Sequence, residues 1–249
     1  MHRPTALLAL AAAWPATAAA PTGQLYERAL MAEADRRCTL FTASVRSALN
    51  VGRIQARGAV ARAGADPGAV EHRARLRAAA VPCRSPDLAT AAARVRDAHA
   101  GWSRLYRMDF PGPRAGWRAD RTRSEGLRWR ASQSTGGTTI GLAGPNPGAP
   151  AFFAVSRMPK QDVPGSARLT IGRRTFLASA REAAPKDLAV PGQGRAWAFR
   201  FPPAAAEALA AASVRDTAEL TILQSNSTRT RTVAIEIGDF AAARAFVTP

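Results

Sequence analysis

The chain has 249 residues, a formal charge of +17 and 47% hydrophobic residues, enough for one large domain or two modest ones. From Gln24 to Arg107, 15 arginines against 7 acids give +8, and from Met108 to Pro249, 17 arginines and 2 lysines against 11 acids give another +8. No basic arm or tail gathers this charge, which argues against nucleic acid and leaves a diffuse surface suited to anionic envelope material such as lipopolysaccharide or lipid headgroups.

The first 20 residues, MHRPTALLALAAAWPATAAA, carry a basic start (His2, Arg3), an apolar run from Ala6 to Trp14, and Ala18-Ala19-Ala20 before Pro21. That order reads as a secretory signal peptide with an A-x-A cleavage site, because the apolar run is too short for a stable bilayer anchor. The alternative is an N-terminal anchor or a buried helix, but the polar segment from Pro21 supplies no stop-transfer run. The mature protein is therefore expected to start near Pro21 and to be periplasmic or secreted. Export also separates it from nucleic acid. No later apolar run is long enough to cross a membrane, so no transmembrane segment is expected in the mature chain.

Residues 21–110 read as a helical domain. Leu30, Ala34, Cys38, Phe41, Val45 and Leu49 recur at helical spacing. A break is expected near Thr39–Thr42, with Thr42 capping a second helix, in preference to one near Asn50-Val51-Gly52. Gly52, Gly58 and the surrounding alanines would let a neighbouring helix approach closely, and Gly64 ends the segment. Asp66-Pro67 is an N-cap followed by proline at the first helical position and predicts a helix over 67–80. Ser85-Pro86-Asp87 repeats the signal for a fourth helix with the stripe Leu88, Ala92, Val95, His99, Trp102 and Tyr106. The two cysteines of the chain, Cys38 and Cys83, are expected to form a disulfide in an oxidising compartment. A redox pair would call for C-x-x-C, and a zinc site needs more ligands than these cysteines and His72 or His99 supply. The result is an antiparallel bundle of about four helices carrying one disulfide.

At Phe110-Pro111-Gly112-Pro113 the periodicity changes, and 111–249 read as an all-β, sandwich-like domain. Its β runs are 127–134, 137–143, 151–157, 167–172, 175–180, 195–201, 217–224 and 230–237, separated by turns such as Gly136-Gly137, Pro145–Pro150, Pro164-Gly165 and Pro191–Gly194. Helices are expected over Pro203–Ala212 and Asp239–Phe246. The fold class is thus α+β, a helical bundle followed by a β-sandwich with a C-terminal helix.

The tail runs helix (Ala204–Leu209), strand (Glu219–Leu223), a polar hairpin at Ser225–Thr228, strand (Thr232–Ile237) and Gly238-Asp239-Phe240-Ala241-Ala242-Ala243. This order resembles the end of exported proteins of the invasion-associated locus B type, which close with a similar helix–strand–strand–Gly-x-Phe-x-x-Ala pattern. The resemblance covers about the last 45 residues. Those proteins carry cysteines in their β-domain, whereas this chain has none after Cys83, and the helical half has no counterpart there. It implies a secreted or envelope-associated, non-enzymatic role and transfers no site residue.

Catalytic signatures are sparse. His99 lies near Asp97 and Tyr106 in sequence but sits on an apolar stripe, where a core or boundary histidine is the plainer reading. His72 lies among Glu71, Arg73 and Arg75. There is no G-x-S-x-G, S-x-x-K, P-loop or H-E-x-x-H, and no acid pair in the β half has evident glycosidase character. No catalytic residue, metal or cofactor is assigned. Asn226-Ser227-Thr228 matches a glycosylation acceptor but reads as a polar hairpin.

One constellation remains. Arg118, Arg121, Arg123, Arg128 and Arg130 stand with Trp117 and Trp129 inside 14 residues. Strand alternation predicts Trp129 in the core with Arg128 and Arg130 exposed, either as a solvated basic face or as a patch for phosphate or carboxylate polymers. The expected function is an exported, non-enzymatic envelope or secreted protein acting through surface contacts, its partner an envelope protein or an anionic envelope polymer. The alternatives are a binder of such polymers through these arginines, or an exported hydrolase gathering His99 or His72 with acids or hydroxyls near 108–118.

Overall fold

The computed structural model describes residues 20–248 apart from 179, 185–187, 189, 191 and 226–228. Residues 1–19, read as a signal peptide, residues 226–228, read as a polar hairpin, and Pro191 lie outside the described residues. Four helices come first: α1 (Pro21–Cys38), α2 (Ala43–Arg62), α3 (Pro67–Ala80) and α4 (Pro86–Trp102). The break between α1 and α2 falls at the expected place. Thr39 adopts a left-handed φ of 52°, and the Thr42 hydroxyl accepts from the Val45 amide. Buried Asp35 accepts from the Phe41 amide at 2.8 Å and from Arg46 Nε at 2.6 Å, so one carboxylate holds both sides of the turn. Asp66 caps α3 by accepting from the Gly68 amide at 2.8 Å.

The helical core is thin. One cluster gathers Met31, Phe41, Val45, Leu49, Leu88 and Ala92, and another gathers Leu25, Ala56, Val60 and Val70. Cys38 and Cys83 form the expected disulfide, with Cα atoms 5.5 Å apart, tying the end of α1 to the connection before α4. One expectation for α4 needs correction. The helix ends at Trp102, where Ser103–Leu105 form turns, so Tyr106 leaves the stripe and stands 63% exposed.

The β half holds two antiparallel sheets. Seven strands run in the order β1 (Arg107–Phe110), β2 (Trp117–Asp120), β3 (Arg128–Thr135), β4 (Thr138–Gly144), β5 (Ala151–Met158), β9 (Arg195–Phe201), β8 (Ala180–Ala183). Four more run β11 (Thr230–Glu236), β10 (Thr217–Gln224), β6 (Pro164–Ile171), β7 (Arg174–Leu177). Gly136 and Gly137, with φ of 52° and 71°, make the β3–β4 turn, the left-handed pair a tight hairpin needs. Two departures from expectation stand out. β1 and β2 form a hairpin ahead of and across the proline turn at 111–113, and the run over 175–180 divides between β7 and β8.

Between the sheets lies the main core, with Trp117, Ile140, Phe152, Phe199, Leu169, Leu220 and Ile235 all buried. Helices α5 (Pro203–Ala211) and α6 (Phe240–Val247) add Leu209, Phe240 and Phe246 to it. The sheets are laced by polar contacts as well. Trp117 Nε1 donates to the carbonyls of Glu236 and Ile237, and Gln133 exchanges hydrogen bonds with Glu236, donating to its carbonyl and accepting from its amide. On the outer face of the larger sheet, Ala143, Phe153, Val155, Leu188 and Val190 make a smaller cluster, so β4 is buried on both sides.

The two halves meet where α2 crosses α6. Arg62 makes a bidentate ion pair with the buried carboxylate of Asp239, the second contact at 3.0 Å, and burial pushes that carboxyl up while Arg62 pulls it back. Gly58 makes the crossing possible, because a Cβ there would overlap Asp239 Oδ1. Gly58→Ala is therefore expected to destabilise the protein by about 1–3 kcal/mol, the usual range for overpacking, read as a lower denaturant midpoint.

Candidate functional site

Helices α1 and α4 both pack on α2 and leave a cleft between them. Its volume is about 530 Å³, within the range of small-molecule pockets. Met31 of α1, Val45 and Leu49 of α2, Val95 and Trp102 of α4 and Met108 of β1 make an apolar lining. The polar groups are Tyr26, Glu27 and Arg28 of α1, Gln55 of α2, and Arg94 and His99 of α4.

Arg28 is the informative member. Its side chain is half-buried and its Nη1 donates to the Gly52 carbonyl at 2.7 Å, across the floor of the cleft. A guanidinium carries five donors, and no carboxylate hydrogen-bonds to it among the described residues. Burial lowers its pKa, with the charge of Glu27 acting the other way. Gly52 lies directly beside it, and a Cβ there would stand in ordinary van der Waals contact with the guanidinium, 3.4 Å from Arg28 Nε. His99 is half-buried at the same cleft, its ring 6.1 Å from that of Trp102 at an interplanar angle of 30°. His72 is exposed on α3 and takes no part.

A larger concavity of about 800 Å³ lies over α1, α2 and α3 but has a different character. Three ion pairs take up most of its charge: Arg36 with Glu33 at 2.7 Å, Arg46 with Asp35 at 2.6 Å, and Arg53 with Glu71 at 2.9 Å, while Arg75 lines it outside these pairs. Each of its three carboxylates is already held by a guanidinium, which leaves less to recruit a ligand.

The five arginines singled out from sequence separate into different roles. Arg118 is exposed and pairs with Asp109 at 3.0 Å. Arg123 is exposed, and Arg128 lies 3.9 Å from Asp120. Arg121 is stacked, its guanidinium 4.1 Å from the Trp102 ring centroid and 4.4 Å from that of Phe246, while it donates to the carbonyls of Leu105 and Trp102.

Arg130 corrects the expectation outright, since it is fully buried. The register of β3 against β4 slips between Trp129 and Ala131, and this bulge turns Arg130 inward. There it donates to the carbonyls of Gly144, Thr122 and Pro145 and to Ser124 Oγ, and burial lowers its pKa. It is a strut for two loops. The same bulge leaves Trp129 half-buried against the outer-face cluster, and Trp117 takes the core position expected of it.

Among the described residues no three His, Cys, Asp or Glu side chains stand close enough to hold a metal ion. No described helix is long and apolar enough to cross a membrane. No family model matches the chain, and no curated protein or solved structure matches it.

Proposed function

We propose that the protein is an exported, non-enzymatic envelope or secreted protein that holds an anionic, single-chain amphiphile in the cleft between α1 and α4. The observation that carries this reading is Arg28, a half-buried guanidinium with no hydrogen-bonded carboxylate among the described residues, standing at a cleft whose apolar lining is Met31, Val45, Leu49, Val95 and Trp102. An acyl chain fits against Met31, Val45, Leu49, Val95 and Trp102, and a carboxylate or phosphate head completes Arg28, with Arg94 and His99 as further cationic or hydrogen-bonding groups at the cleft. The disulfide, the signal-like start and the resemblance of the tail to exported proteins support an oxidising compartment outside the cytoplasm.

A hydrolase working through a covalent intermediate would need a nucleophile beside His99. Among the described residues the cleft is lined by no serine, threonine or cysteine, and its carboxylate is Glu27 and its hydroxyl Tyr26. Binding without chemistry is what this set of groups suits.

Isothermal titration of the mature protein with a medium-chain fatty acid and with a lysophosphatidylglycerol tests the reading, the alcohol of equal chain length serving as the uncharged control. Both anions should bind more tightly than the alcohol. Arg28→Gln should weaken them about tenfold or more, the scale of a lost charge-assisted hydrogen bond, and leave the alcohol unchanged. Equal binding of acid and alcohol, or an unchanged affinity in Arg28→Gln, would overturn it.

A further inference from the structure

The chain segment that leads from the cleft to the sheet carries a second feature. Leu105 and Tyr106 lie between Trp102 and Met108, both of which line the cleft, yet they point away from the protein at 43% and 63% exposure. Exposed large apolar side chains are few among the described residues. Leu76, Val163 and Leu177 stand apart in the chain, and Leu105-Tyr106 is the adjacent pair.

The tip is tied down by hydrogen bonds from Arg121. Arg121 donates from its side chain to the Leu105 and Trp102 carbonyls, and its amide donates to the Tyr106 carbonyl at 2.9 Å, continuing the β1–β2 ladder outward. An apolar pair fixed in an exposed position costs less to insert elsewhere than a loop that must first be ordered.

Its surroundings are cationic. Arg104 and Arg107 flank the pair in sequence, and Arg123 lies just past the residue that pairs with Tyr106. Arg107 shares Asp120 with Arg128, at 2.8 and 3.9 Å, so one carboxylate serves two guanidinium groups. Burial acts to raise Asp120, but hydrogen bonds from Thr122 and Arg107 outweigh it and keep the carboxyl below its ordinary range. From Arg104 to Arg128 the chain carries seven arginines against Asp109, Asp120 and Glu125, and Asp109 is paired with Arg118, so the charge balance of this stretch is positive.

We infer that Leu105 and Tyr106, ringed by Arg104, Arg107 and Arg123, form a docking tip that seats the protein on an anionic bilayer surface beside the mouth of its cleft. The leucine would enter the acyl boundary, the tyrosine would lie at headgroup level, and the arginines would meet lipid phosphates while keeping their stems against the apolar zone. This extends the cleft reading by naming where an amphiphile would enter or leave, but it stands on different residues.

Co-sedimentation of the disulfide-bonded mature protein with vesicles tests it. The protein should pellet with phosphatidylethanolamine vesicles containing phosphatidylglycerol, be released by raised salt, and stay in solution with phosphatidylcholine alone. Leu105→Ser with Tyr106→Ser should abolish pelleting, and Arg104→Gln and Arg123→Gln should each weaken it about fivefold, the usual scale for a basic residue at an anionic surface. All four side chains are exposed, so the thermal midpoint serves as a check that each variant is folded. The serine variant should still bind the soluble fatty acid, and Arg28→Gln should still pellet, which lets the tip and the cleft fail separately. Equal pelleting with phosphatidylcholine, or wild-type pelleting by the serine variant, would overturn the docking tip.

Discussion

Replacing Cys38 and Cys83 together by serine is expected to lower the unfolding free energy by about 4 kcal/mol, the chain-entropy value for a loop of this length. The bridge spans 45 residues and encloses α2 and α3 entirely. Its weight follows from the composition of this half. Helices rich in alanine bury small side chains, and the cluster under the bridge depends on Met31, Phe41, Leu49 and Leu88 for most of its apolar area. The β half has its own core around Trp117, Phe152 and Phe199. Reduced or serine-substituted protein should therefore lose helical circular dichroism before the near-ultraviolet signal of the sandwich tryptophans. A coincident transition displaced by less than about 1 kcal/mol would show that the bridge constrains little.

Asp239→Ala carries the second large effect, about 3 kcal/mol. The carboxylate is buried beneath Arg62, and deleting one member of such a pair strands the other without a partner. Asp239→Asn, which keeps the shape and loses the charge, should cost less than alanine. Arg62→Met alone leaves the carboxylate buried, and combining it with Asp239→Ala should recover part of the loss. The coupling energy from that cycle, measured by denaturant unfolding, separates a joint between α2 and α6 from two independent surface effects. Strict additivity would mean that the halves are held by the apolar contacts of α6 alone.

The helical half was legible because its signals are local. Asp66-Pro67 and Ser85-Pro86 announce helix starts within two residues, and Thr42 caps α2 from its own side chain. The longer strands were legible for the same reason, through alternation bounded by Gly and Pro. The hairpin of β1 and β2 was not, because each strand has four residues and half of them are charged. Arg130 was misplaced because strand alternation assumes an unbroken register, and a bulge of one residue reverses the face.

The candidate cleft and the joint between α2 and α6 are tertiary and left little trace in the chain. Arg28 and Gly52 lie 24 residues apart, and Arg62 and Asp239 lie 177 apart. His99 was read as a boundary residue of an apolar stripe, and it does lie half-buried beside Trp102; that the stripe lines a cleft depends on α1 standing apart from α4 across α2. Tyr106 looked like the end of a helix stripe. Only the early stop of α4 at Trp102 puts it outside.

The cleft is tested most directly by fluorescence quenching with a nitroxide-labelled stearate, because Trp102 lines the cleft while Trp117 is buried in the sandwich. Saturable quenching that is largely lost in Trp102→Phe, and shifted about tenfold to higher ligand in Arg28→Gln, is the expected result. Quenching of the same depth and midpoint in wild type, Trp102→Phe and Arg28→Gln would contradict it.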